Sequence, residues 1–140
     1  MSPIHRTRHA VYDLKYHLVW VPKYRKLILR GKLALRLREL FAEISERYDW
    51  ELEEVAVVAD HVHLFVSAPP RHAPARIVQI YKSISARLIF QEFPEIKRHL
   101  WGGELWNDGY FVRSVGDQVT ANVIKRYVRA QHDPSLPFDL

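Results

Sequence analysis

Between Val11 and Val21 apolar and polar residues alternate. Tyr12, Leu14, Tyr16, Leu18 and Trp20 fall on one face, and Asp13, Lys15 and His17 on the other. That spacing predicts a strand with one buried and one polar face, ended by Pro22. After Gly31, Leu33, Leu37, Leu40, Phe41, Ile44 and Tyr48 recur at helical spacing. Residues 50–58 and 61–67 read as two strands joined tightly around Ala59-Asp60, the second closed by Pro69 and Pro70. A second helix is expected from Pro74, a residue suited to a first turn, through Ile77, Ile80, Tyr81, Ile84, Leu88 and Ile89 to about Phe93, where Pro94 stops it. Residues 94–108 are expected to be irregular or a short helix, anchored by Trp101 and Trp106. Residues 109–115 read as a fourth strand, broken by Gly116. Asp117 is the expected N-cap of a third helix reaching about Gln131, and residues 132–140, with Pro134 and Pro137, are expected to form an extended tail.

The resulting order is β-α-β-β-α-β-α. Its first six elements fit the split βαβ, or ferredoxin-like, plan of an α+β protein: an antiparallel sheet with two helices on one face. In that plan the first and third strands are central neighbours. Tyr12 to Trp20, with Val62, Leu64 and Val66, would lie under the helices, while Asp13, Lys15 and His17 share the opposite face with His61 and His63. The third helix is an addition to the plan and is free to lie across that face. The chain has 140 residues, no internal repeat and no linker, so one domain over 1–140 is expected.

Composition narrows the chemistry. The chain has no cysteine, which removes disulfides, thiolate metal sites and thiol nucleophiles together. No apolar run approaches the roughly 20 residues of a membrane span, and the first residues are basic and polar with no apolar block, so a cytoplasmic protein is expected. The net charge is +5, unevenly spread: residues 1–40 carry ten Lys or Arg against two acids, and residues 41–70 carry seven acids against Arg47 alone. A basic first third suits a polyanion partner; a solvated basic face is the alternative.

His61 and His63 are co-facial on a strand, and Tyr127 and Gln131 are co-facial on a helix. Together they offer two imidazoles, an amide oxygen and a phenol. An isolated His-x-His pair is a weak metal signal, because histidines often fill a strand face without a ligand. Two of them on a central strand, opposite polar and cationic neighbours, are poorly explained by packing alone. Completed by an oxygen ligand such as Gln131, the pair would suit Mg2+ or Mn2+ with positions left for phosphate and water. Taken alone, Gln131 is an exposed residue near a helix end, and Tyr127 is a half-buried member of a stripe with Val119, Val123, Ile124 and Val128. Lys125, Arg126 and Arg129, like Lys82, Ser83, Ser85 and Arg87, fit either a solvated helix face or phosphate contacts. A tyrosine acting beside a metal makes chemical sense. A phenol with an ordinary pKa near 10 is a weak nucleophile, and a nearby cation, the metal or Lys15, favours its ionised form. Tyrosine and phosphodiester exchange one ester for another, so no nucleotide triphosphate is required, and no phosphate-binding glycine loop is present.

Four segments then stand in register: Tyr16-His17-Leu18-Val19-Trp20-Val21-Pro22-Lys23-Tyr24-Arg25; Asp60-His61-Val62-His63-Leu64; Trp106 with Gly109-Tyr110-Phe111; and Tyr127-Val128-Arg129-Ala130-Gln131. On these the chain resembles the small single-tyrosine transposases of bacterial and archaeal insertion sequences, the HUH class, in the short one-domain subgroup of the insertion-sequence two-hundred type. The resemblance implies a ferredoxin-like fold, a homodimer, and single-stranded DNA cut beside imperfect hairpins. It implies Tyr127 as the nucleophile, forming a 5′-phosphotyrosine and releasing a 3′-hydroxyl, and His61, His63 and Gln131 as the metal ligands. In the family the tyrosine helix can complete the partner's site, and Gly116 would be the hinge for that exchange. Where the family often has an acidic residue before the tyrosine, this chain has Asn122. Lys15, His17, Lys23, Arg25, Lys82, Arg87 and Arg129 are the candidate DNA contacts. The rival readings are a domesticated relative that processes palindromic repeats, a non-catalytic RNA-binding module using sheet aromatics, and a metal-dependent hydrolase of a small phosphoester.

Overall fold

In the computed structural model, which describes residues 4–101, 103–116 and 118–130, the chain opens with a two-stranded antiparallel ribbon, β1 (His5–Arg6) and β2 (Val11–Tyr12). The main sheet follows. β3 (Lys15–Trp20) leads through a short helical turn at Lys23–Arg25 into α1 (Gly31–Arg47); β4 (Glu51–Val58) and β5 (His61–Ser67) form a hairpin; and α2 (Pro74–Glu92) leads to β6 (Phe111–Val115) and α3 (Gln118–Ala130). The strand order is β4-β5-β3-β6, antiparallel throughout, so the two βαβ units interleave with β3 and β5 in the centre. This is the ferredoxin-like α+β plan with one additional helix.

Side-chain alternation explains the layers. Tyr16, Leu18 and Trp20 of β3 and Val62, Leu64 and Val66 of β5 point to one face, where they pack with Leu33, Leu37, Leu40, Phe41 and Ile44 of α1 and Ile77, Ile80, Tyr81 and Ile89 of α2. The other face carries Lys15 and His17 from β3 and His61, His63 and Phe65 from β5. α3 lies over it, with Val128 buried in a small cluster with Ala56, Phe65 and Val115. The β4–β5 register steps from Leu52↔Val66 to Glu54↔Phe65, leaving Glu53 as the extra residue of a β-bulge.

The fold departs from the alternation pattern in three places. The expected strand from Val11 to Val21 is two strands, because β2 leaves the sheet to pair with β1 and Tyr12 stacks on His5. Asp13 therefore lies outside the main sheet and pairs with Lys15 from there. Trp106 is an anchor as expected: it is buried, and its Nε1 donates to Ser85 Oγ at 3.0 Å. Trp101 is not, with 85% of its surface exposed. On α3, Val123 is exposed, whereas Val128 faces the sheet; the side chains of Val119 and Ile124 lie outside the described set. Asp117, Gln131 and residues 132–140 also lie outside the described residues.

Candidate active site

The centre of the site is built by β5 and β3 together. His63 and His17 sit on adjacent central strands, in the non-consecutive register Val19↔His63 and His17↔Phe65. Their rings stack at 5.3 Å, and His17 Nε2 and His63 Nδ1 share a hydrogen bond of 3.1 Å. His61, two residues along, brings its ring to 4.8 Å from that of His63. From α3 the Tyr127 ring stands edge-on to His63 at 5.5 Å and to His17 at 6.2 Å. It is half-buried, so the residue is not sealed in the core.

The hydrogen bonds settle which nitrogens carry protons if both histidines bind a ligand. Asp60 Oδ1 lies 2.8 Å from His61 Nδ1; a carboxylate only accepts, so Nδ1 donates and the lone pair is at Nε2. Arg25 Nε in turn donates to Asp60 Oδ2 at 3.1 Å. For His63 to ligate through Nε2, its Nδ1 must donate to His17 Nε2. Each ligand histidine would then be oriented by a second side chain, a common feature of metal sites. Burial, with Arg113 nearby, pushes the His17 imidazole down to about 4. Burial, then His61 and His17, pushes His63 down to about 3. Both rings are therefore neutral at physiological pH, the state a metal requires.

These shifts carry a stability consequence. A histidine whose folded pKa is depressed binds protons more readily in the unfolded chain, so the folded state loses stability as pH falls below the unfolded value near 6.5. In chelator, we expect the melting temperature to decline steadily from pH 6.5 towards pH 4, as the unfolding free energy falls by on the order of 1.4 kcal/mol per pH unit for each fully titrating group. Thermal melts across that range, compared with His17→Gln, check it: an unchanged slope in the variant would mean that other groups titrate.

Two imidazoles without sulfur suit a divalent cation that takes nitrogen and oxygen ligands. Among the described residues, no group of three or more His, Cys, Asp or Glu is arranged to hold a metal ion. The third ligand expected from the pattern, the amide of Gln131, lies outside the described residues.

The candidate DNA contacts are scattered, and some are withdrawn from the surface. Lys15 and His17 are buried, Lys15 paired with Asp13 and His17 bonded to His63, so neither presents its side chain to a phosphate outside. Both stand on the sheet face that α3 covers, which strand alternation alone does not reveal. Lys82 donates to the carbonyls of Asn107 and Gly109 at 2.8 and 2.7 Å, clamping the loop before β6 to α2. Lys23 pairs with Glu104 and Arg25 with Asp60, both from the turn after β3. Arg87 is exposed on α2, and Arg129 is exposed and paired with Glu54. Sequence reasoning missed the supporting roles of Asp60 and His17. The Asp-His dipeptide was the available signal for the first, whereas the second needs the β3–β5 register. It also missed Glu53. That carboxyl is buried at the bulge, 3.3 Å from Lys125 Nζ, and its pKa is raised by burial against the opposing pull of Lys125. The sheet face on which an RNA-binding module would stack bases lies beneath α3.

The comparisons with known proteins agree with this architecture. The sequence matches the IS200-like transposase family over residues 10–131, and the chain belongs to that family. It is 40% identical over 126 residues to the ISDra2 transposase TnpA of Deinococcus radiodurans, a match covering 90% of this chain and 89% of the relative. It is 26% identical over 123 residues to the transposase for insertion sequence element IS200 of Salmonella typhimurium, covering 88% of this chain and 80% of that one. Among solved structures, the fold superposes on the crystal structure of a transposase candidate from Deinococcus radiodurans R1 with a TM-score of 0.74, at 37% identity, covering 91% of this chain and 98% of that one. It also superposes on a REP-associated tyrosine transposase bound to a REP hairpin with a TM-score of 0.62 at 11% identity, covering 93% and 72% of the two chains, a likeness of fold. Among the described residues, no helix is long and apolar enough to cross a membrane.

Proposed function

We propose that this transposase is a metal-dependent DNA strand transferase that cleaves and rejoins single-stranded DNA beside hairpins at insertion-sequence ends, through a 5′-phosphotyrosine at Tyr127. The observation that carries the reading is the Tyr127 ring edge-on to His63 at 5.5 Å, which places a phenol from α3 beside the histidine pair of β5. His61, His63 and the amide of Gln131 would hold Mg2+ or Mn2+. Such an ion, when bound, supplies positive charge to the scissile phosphate. Tyr127 Oη forms a bond to phosphorus as the bond from phosphorus to the 3′-oxygen breaks. One proton leaves the phenol and one joins the departing oxygen, so no net proton is consumed. The phosphotyrosine retains the ester, and a free 3′-hydroxyl can attack it in the reverse sense to join strands. His17 and Asp60 orient the two ligand histidines, and Arg25 holds Asp60.

The sheet edges support a homodimer. β4 carries Glu51 and Glu54 beside the buried Glu53, and charged side chains blunt an edge. β6, at the other edge, reads Phe-Val-Arg-Ser-Val, with Phe111 and Val112 exposed and no acid. A second copy pairing along β6 would cover that edge, and the tyrosine helix could complete either subunit's site. Val112→Glu is expected to convert a dimer to a monomer in sedimentation, without loss of melting temperature. A monomeric wild type, or a dimeric variant, would rule out β6 as the interface.

The test of the function is incubation with hairpin-bearing single-stranded DNA and Mn2+, followed by a denaturing gel. A covalent protein–DNA adduct that requires the metal is expected. Cleaved DNA with no adduct would mean attack by water and would sink the transferase reading.

A further inference from the structure

Away from the histidines, the turn at Lys23–Arg25 presents an unusual surface. Tyr24 and Trp101 are 55% and 85% exposed, their rings 6.2 Å apart. Lys23 Nζ lies 5.8 Å from the Tyr24 ring centroid, and Lys26 Nζ lies 6.0 Å from that of Trp101. Both aromatics stand on backbone that bulky residues rarely adopt: φ is 60° at Tyr24, 51° at Arg25 and 31° at Trp101. Such conformations persist only where the surroundings hold them, and they concentrate at ligand sites. Here the support is clear. Lys23 N–H donates to the Leu105 carbonyl at 2.8 Å, Asn107 N–H donates to Val21 O at 2.9 Å, and Pro22 bridges to Trp106. The two segments are thus stitched together beneath the rings. The helical turn that delivers Trp101 ends in Lys97, Arg98 and His99, all exposed.

Two exposed rings on rigid backbone, flanked by lysines, match the chemistry of an unpaired nucleotide: an aromatic face for the base and cations for the adjoining phosphates. We propose that Tyr24 and Trp101, their rings tilted 53° to one another, form a stacking site for an unpaired base of the single-stranded DNA, with Lys26 at its phosphate and Lys23 joining it on leaving Glu104. This rests on the DNA-processing reading above and adds to it a place where the flank of the hairpin is gripped. The platform also communicates with the histidines. Arg25, next to Tyr24, holds Asp60, which holds His61, so a strand seated on the rings lies one ion pair and one hydrogen bond from the proposed metal ligand.

The other three tryptophans, Trp20, Trp50 and Trp106, are buried, so iodide-accessible fluorescence reports Trp101. The probe is a single-stranded oligonucleotide folding into one stem–loop with thymine flanks, because stacking tolerates any base. Binding to the wild type is expected to quench the accessible fluorescence, and replacing flank thymines by abasic residues is expected to remove the quenching. Trp101→Ala is expected to bind the thymine-flanked probe roughly tenfold more weakly and to be indifferent to the abasic change, whereas Trp101→Tyr retains most of the affinity. Equal affinity of Trp101→Ala and wild type for the thymine flank, with the metal-dependent adduct still formed, overturns the platform alone. Quenching by an oligouridine RNA but not by the DNA overturns it too, as does conversion of a dimer to a monomer by Trp101→Ala, which would make the rings a subunit contact. Failure of the wild type to bind the DNA at all overturns both the platform and the function on which it rests.

Discussion

Tyr127→Phe is expected to abolish the covalent protein–DNA adduct and to lower strand cleavage by on the order of 10³-fold or more, with hairpin affinity and melting temperature unchanged. The substitution removes one oxygen and keeps the ring that packs edge-on to His63 and His17. The ring contacts that help seat α3 are therefore kept while the nucleophilic oxygen is lost. A gel for the adduct, with a filter-binding measurement of the hairpin, separates the two effects. Persistent cleavage by the phenylalanine variant would transfer the nucleophile elsewhere, while loss of binding would give Tyr127 a packing task in place of a chemical one.

The second large effect is expected at His63. His63→Ala removes a proposed ligand and also the partner of His17, so Mn2+ affinity should fall beyond the roughly 10–100-fold that a supporting residue such as His17 or Asp60 controls. Adduct formation should fall with it. Titration calorimetry with Mn2+ on His63→Ala, His17→Ala and Asp60→Asn gives the ordering. Because the site is buried, each variant's melting temperature is needed beside it, and Asp60→Asn, at a half-buried position, serves as the variant least exposed to a folding defect. Equal metal affinity in His63→Ala and wild type would remove the histidine pair from metal binding altogether.

Most of the scaffold was legible because its periodicities are clean. The helical spacing from Leu33 to Ile44 and the co-facial placing of His61 and His63 both follow from the chain itself and are what the fold contains. Proline boundaries worked for the same local reason: Pro74 starts α2 and Pro94 follows its end. What escaped reading depends on contacts between distant residues. Alternation continues smoothly across Asp13, yet the chain leaves the sheet there because residues before it offer β2 a partner. The pattern places Lys15 and His17 on a face that the third helix is free to cross, but their burial there, which withdraws them as DNA contacts, depends on how closely α3 packs on it. Trp101 and Trp106 are the same residue type five positions apart, and only the tertiary path buries one and displays the other. Glu53 becomes an internal charge solely through the bulge, which is a property of the β4–β5 register and leaves no local mark in the sequence.

The way α3 is fastened has a consequence for how the nucleophile is deployed. Beneath α1 and α2 lies an extensive apolar interior, whereas the described contacts of α3 with the sheet include only one fully buried apolar side chain, Val128 in a four-residue cluster, beside the Tyr127 ring on His63 and His17 and two ion pairs, Lys125 with Glu53 and Arg129 with Glu54. Oil-like contacts resist rupture in proportion to the area they hide from solvent, whereas separated charges recover hydration and recoup much of what parting them costs. The arm bearing Tyr127 is consequently held less by apolar burial than α1 and α2 are. Rising ionic strength is expected to weaken its outer tether, Arg129 with Glu54, as it does the other exposed ion pairs, while the apolar interior behind it is left unchanged.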